Sequence, residues 1–130
     1  MQQLRFESSW DKTLSAQDRD YIEKLFNETK GQHHNTIVFS PIRQAINHRN
    51  ELLITVLVHN FSQHPFTFDN TRLIYSNEQE VLAENVFTLP ILTIPPQVSM
   101  PWTFIFPVHQ GTIAQDGRLT VDFNYNASKF

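Results

Sequence analysis

The amino-acid sequence predicts a mainly β protein, an antiparallel immunoglobulin-like β-sandwich with one N-terminal α-helix. Three features predict it. Six or seven short apolar runs recur at roughly 8 to 14-residue spacing, as sandwich strands do. Within those runs apolar and polar side chains alternate, and one segment alone switches to helical spacing. No strand-helix-strand alternation occurs, which argues against a wound parallel sheet. The 130 residues suit one domain, residues 1–130, large enough for a hydrophobic core without staples.

Residues 1–14 are expected to form an N-terminal arm or a short strand, with Leu4, Phe6 and Trp10 as isolated apolar anchors. The helix is expected over residues 16–30. Ser15 followed by Asp18 resembles a capping box with a shorter acid, and Asp18 places negative charge in the first turn. Tyr21, Ile22, Leu25 and Phe26 then share one side, and that stripe needs a partner surface. Gly31 suits the left-handed position just past a helix end.

Residues 36–126 are expected to supply the sandwich. Ile37, Val38 and Phe39 open it, and Pro41 breaks the run, as in an edge strand made of two short pieces. Leu52, Ile54, Val56 and Val58 alternate with Leu53, Thr55, Leu57 and His59; one wholly apolar face and one mixed face suit a central strand packed on a second sheet and partly covered outside, with the helix as a candidate cover. Phe66 and Phe68 share one phase and Leu73 and Tyr75 the other, so a bulge or bend belongs between Asp69 and Thr71. Val81, Ala83, Phe87 and Leu89 mark a further strand, and Thr93 to Pro101 reads as a stiff, proline-rich connection. Val98, Met100, Trp102, Phe104 and Phe106 form one face of the next strand, with Pro101 favouring an edge or bulge. Leu119, Val121, Phe123 and Tyr125 alternate with Thr120, Asp122, Asn124 and Asn126 in a late strand with one wet face. Ten asparagines against three glycines suggest that Asn fills several positive-φ turn positions.

Composition narrows the function. A formal charge of −3 gives no net cationic field for a phosphate backbone, so no nucleic-acid partner is expected. The absence of cysteine excludes a disulfide framework, a thiol nucleophile and thiolate metal ligands. The first twenty residues lack the apolar core of a signal peptide, and Leu52 to Val58 is far short of the ~20 residues of a spanning helix, so no membrane span and a cytoplasmic location are expected. The six histidines show no ligand spacing: His33 and His34 are adjacent, and His48, His59, His64 and His109 sit singly, so no metal or cofactor is assigned. Nucleophile elbows, phosphate-binding loops and dinucleotide fingerprints are missing, and no catalytic residue is assigned. The stripe Trp102, Phe104, Phe106 reads as core, since no basic residues interleave with it as they would on a base-stacking platform. Trp10, Leu25, Phe26 and Pro41 are the residues expected to meet a protein partner if they are not spent on the chain's own packing.

Several strings together resemble a known family. Leu4-Arg5-Phe6-Glu7 with Trp10, the run Pro41 to Asn47, the run Glu51 to Leu57, Phe87-Thr88-Leu89-Pro90, Ile94-Pro95-Pro96 and Met100 to Pro107 are similar to the bacterial SLAP domain. The resemblance covers nearly the whole chain. It implies a Gram-positive setting and a relation to the S-layer assembly protein of the accessory Sec system, in which the domain is duplicated. The expected function is a non-enzymatic protein-interaction module, an accessory factor for secretion or assembly of surface-layer proteins. Its expected partner is an accessory Sec component or a surface-layer client. Two alternatives stand beside it: a small-ligand or metal-binding sandwich using His48, His64 or His109, and a structural domain that forms a homodimer.

Overall fold

The computed structural model describes residues 1–32, 36–109 and 116–125. His33 and His34 lie outside the described residues, as does Asn126 at the end of the expected sandwich. Among the described residues seven strands and two helices follow one another: β1 (Gln3–Leu4), α1 (Ser8–Thr13), α2 (Ala16–Thr29), β2 (Ile37–Ile46), β3 (Leu52–Asn60), β4 (Phe66–Ser76), β5 (Val81–Ile94), β6 (Val98–Phe106) and β7 (Arg118–Val121). The strands form two sheets, ordered β1-β6-β3-β2 and β5-β4-β7. The chain crosses between sheets after β3, β5 and β6. That places the second, third and sixth strands side by side opposite the fourth, fifth and seventh, the connectivity of an immunoglobulin-like sandwich. All pairings are antiparallel except β1 with β6, which is parallel over Gln3↔Val98 and Leu4↔Ser99.

The core forms between the sheets from the alternation noted above. Leu52, Ile54, Val56 and Val58 of β3 meet Leu73, Tyr75, Leu82, Phe87 and Leu92 of the facing sheet. Phe104 sits at its centre, with ring centroids 5.2 Å from Phe87 and 5.3 Å from Phe68. Such tilted and edge-on pairs place ring edges against ring faces and add to the hydrophobic gain of burial. Phe104 and Phe106 are buried, as the core reading required, and Trp102 packs at the margin.

The other face of β3 carries a second, smaller cluster. Ser15 Oγ accepts from Asp18 N at 3.0 Å and starts α2 where the capping residue placed it. Ile22 and Phe26 are buried against Leu57, with Leu4, Phe6, Leu14, Leu25 and Ile42 around them. Tyr21 departs from the expected stripe and is 51% exposed, because the contact is narrower than the sequence stripe. Gly31 does not adopt a left-handed φ. The helix closes on Lys30, whose N–H donates to Phe26 O at 2.8 Å.

Four local expectations are corrected. Residues 1–14 are a two-residue strand followed by a helix, so the N-terminal part carries two helices. β2 is one strand rather than two pieces; Pro41 is accommodated by a bulge between Pro41 and Arg43. The connection between β5 and β6 shrinks to Pro95, Pro96 and Gln97, because Gln97 takes φ 61° and turns the chain sharply. The last strand stops at Val121: Asp122 Oδ1 accepts from Asn124 N at 3.0 Å, and this local turn leaves Phe123 60% exposed. The bulge between Asp69 and Thr71 is present, with Asn70 at φ 54° and the register shifting between Phe68 and Thr71.

Candidate interaction surface

Among the described residues, a groove runs along one side of the sandwich. β2 pairs only with β3 and β7 only with β4 among the described residues, so each presents a free edge on the same side of the molecule. Between them runs a groove of about 810 Å³, walled by Phe39 and Ile42 of β2 and by Leu119 and Val121 of β7, with Tyr75 and Val56 among its lining residues. Arg43, Arg118 and Asp116 also line it. Free edges offer backbone donors and acceptors, and the apolar lining offers alternate side-chain sites, which together suit an extended peptide.

Of the four residues expected to meet a partner, only Pro41 lines this groove, and it is exposed. Trp10 packs on its own chain, its ring centroid 6.4 Å from that of Trp102 with 29° between the planes. Phe26 is buried and Leu25 half-buried in the helix cluster. Arg118, Val121 and Phe123 also line the groove, a role the sequence does not signal, because the alternation from Leu119 to Tyr125 reads as one strand face.

Pro101 fits its setting on the opposite side. Ser99 O accepts from Arg5 N, so Ser99 points its backbone groups at β1, and Pro101, two residues on, points the same way beyond the end of β1. Its missing donor therefore falls where no strand pairs.

A polar chain lies buried across the outer face of the first sheet. Ser40 Oγ lies 2.9 Å from His59 Nε2, His59 Nδ1 lies 2.7 Å from Ser99 Oγ, and Gln2 Nε2 donates to Ser99 Oγ at 3.0 Å and to Asn60 O at 3.3 Å. His59 is fully buried and stacked on Phe61, with centroids 5.0 Å apart. Burial pushes its pKa down to about 4, so the ring is neutral near pH 7. The spacing of Ser40 and His59 resembles a nucleophile and base, but Ser40, His59 and Ser99 are all buried, and none of the three lines the groove between β2 and β7.

The other described histidines are not brought together. His48 is exposed in the β2–β3 turn and His64 in the β3–β4 turn, while His109 Nε2 lies 2.8 Å from Asn50 O. Among the described residues no three His, Asp or Glu side chains converge as metal ligands. No helix among them is long and apolar enough to cross a membrane.

Two packed sheets, with a groove between strands β2 and β7 that are edges among the described residues, define a β-sandwich. The family model of the SLAP domain of the accessory Sec family matches residues 4–120. The chain belongs to the SLAP domain family, a domain associated with secretion and assembly. No curated protein and no solved structure matches it.

Proposed function

We propose that the chain is a non-enzymatic protein-interaction module that serves secretion or assembly of surface-layer proteins. It works in the cytoplasm of a Gram-positive bacterium and engages an accessory Sec component or an export client. The groove between the free edges of β2 and β7 is the observation that carries this reading. An export client before translocation is an unfolded chain, and an extended segment of it can add to a free edge while its alternate side chains enter the apolar lining. Pro41 and the bulge beside it limit how long such a pairing can run, which protects β2 from indiscriminate strand addition.

The test places a photo-crosslinking residue at Thr120 on the β7 edge and, as a control, at Gln79 in the exposed β4–β5 turn. Each variant is mixed with purified accessory translocase components or with an unfolded surface-layer client. Adducts from position 120 with either partner, and none from position 79, support the proposal. Equal labelling from both positions, or none from position 120, overturns it.

A further inference from the structure

The chain Ser40–His59–Ser99–Gln2 runs through two hydroxyls and both ring nitrogens. Ser99 Oγ accepts from Gln2 Nε2, and in the Nε2–H tautomer its own hydroxyl proton goes to His59 Nδ1. The Nε2 proton of that tautomer is donated to Ser40 Oγ. Gln2 is the last link, and it belongs to the N-terminal segment. The rest of that segment's hold on β6 is slight: Gln3 N donates to Gln97 O and Arg5 N to Ser99 O, both at 2.9 Å, and Leu4 joins the helix cluster.

Adding a proton to Nδ1 reverses the bond to Ser99. The ring then donates into an oxygen that already accepts from Gln2, and the hydroxyl proton of Ser99 loses its acceptor. On the same carboxamide, Gln2 Oε1 is an acceptor buried without a hydrogen-bond partner. Reaching it requires the carboxamide to turn and to give up its bonds to Ser99 and to Asn60 O. Among the described residues no carboxylate offsets the burial of the ring. β1, β3 and β6 carry no ionisable side chain other than His59, and Arg43 of β2 pairs with Asp18. Arg5 donates to Gln3 Oε1, Arg19 pairs with Asp11 over the Phe6 ring, and Lys30 lies over the Phe26 ring. An imidazolium at this position is therefore stabilised only by lifting the cover and admitting water.

We propose that residues Gln2 to Arg5 form an acid-released latch on the edge of β6, with His59 as its trigger. Release leaves the outer edge of Val98–Phe106 without a paired strand among the described residues. The sign follows from linkage: the ring binds its proton near pH 4 when covered and near 6.5 when hydrated, so the closed latch is fully favoured above about 6.5 and loses ground as the pH falls toward 4. Between pH 7.5 and 4 the closing equilibrium falls on the order of 100-fold.

The experiment is amide hydrogen exchange on the full chain, read at Gln3 and Arg5 and corrected for intrinsic exchange rates. Protection at these two amides is expected to fall on the order of 100-fold between pH 7.5 and 4 while β3 stays protected, and to be independent of pH in His59→Gln. Ring nitrogen shifts of the unaltered protein give a second reading that needs no variant. They should show the Nε2–H tautomer at neutral pH and a His59 ring that stays neutral well below its ordinary 6.5 while protection is already falling. Unchanged protection at pH 4, an equal loss in His59→Gln, an Nδ1–H tautomer, or a ring that protonates near 6.5 with the latch still closed each overturns the proposal.

Discussion

Tyr75 on β4 donates its phenolic hydroxyl to Gln44 Oε1 on β2 at 2.6 Å, tying the two sheets together beside the open groove. Burial, and after it the nearby carboxylate of Asp116, raise the Tyr75 pKa, so the hydroxyl keeps the proton it donates. The ring lies directly beneath Gly117: a Cβ built there would overlap its Cζ and hydroxyl oxygen.

Gly117→Ala is therefore expected to destabilise the protein by ~1–3 kcal/mol, the range for overpacking a filled site. Tyr75→Phe removes the hydrogen bond and should cost about 1 kcal/mol. Urea denaturation of the two single variants and the double variant checks the linkage. The combined cost should be smaller than the sum, because losing the hydroxyl removes part of the overlap. Strict additivity would show that Gly117 and Tyr75 do not press on one another.

The helix cluster separates two residues that the sequence placed together. Phe26 is 8% exposed and Leu25 only half-buried, so Phe26→Ala should cost ~3–5 kcal/mol and Leu25→Ala clearly less. Denaturation midpoints at unchanged slope would read the difference. Equal and small losses would mean that α2 displays this face instead of packing it on Leu57.

How much of this was legible in the sequence depends on whether side-chain period or a chance of three-dimensional approach decided the outcome. Period two over Leu52 to His59 placed the central strand, because burial on both faces leaves its trace at every position. The phase slip between Phe68 and Leu73 located the Asn70 bulge for the same reason. Ser15 announced the start of α2 because a helix cap is a local interaction. The end of β7 was not legible: Phe123 continues the alternation, and only the turn at Asp122 shows that the strand has stopped. The groove was equally hidden, since it depends on β2 and β7 being the unpaired edges of different sheets, a property of topology that no local pattern encodes. His59 stood among other lone histidines, and its serine partners are 19 and 40 residues away in sequence.

Trp10 tests the N-terminal part at a second point. Its stack on Trp102 joins α1 to the margin of β6 while both rings remain half-buried. Trp10→Ala should lower stability by about 1–2 kcal/mol, less than a buried aromatic would, and should reduce the near-ultraviolet circular dichroism of the indoles. An unchanged spectrum would show that the two rings do not stack in solution.

Arg72 holds the second sheet together across its three strands. From β4 its Nη1 donates to Asp122 Oδ2 at 2.6 Å, just past β7, and its Nη2 donates to Glu84 on β5. Hydrogen bonding to Asp122, followed by the charge of Glu84, raises the guanidinium pKa still further, so the fork stays charged at any pH where the protein folds. β7 has four residues and pairs only with β4 among the described strands; Leu119 enters the core from it, and Asp122 just past its end is tied to Arg72. Arg72 is 28% exposed, so water screens part of the attraction and the effect is modest. Arg72→Met keeps the aliphatic stem but removes both bonds, and a loss of ~1–2 kcal/mol is expected, shrinking as salt is raised. Amide exchange should localise the damage to Arg118–Val121 and leave β3 and β6 unchanged. A uniform loss of protection, or none, would mean that β7 is held by Leu119 in the core and not by the arginine fork.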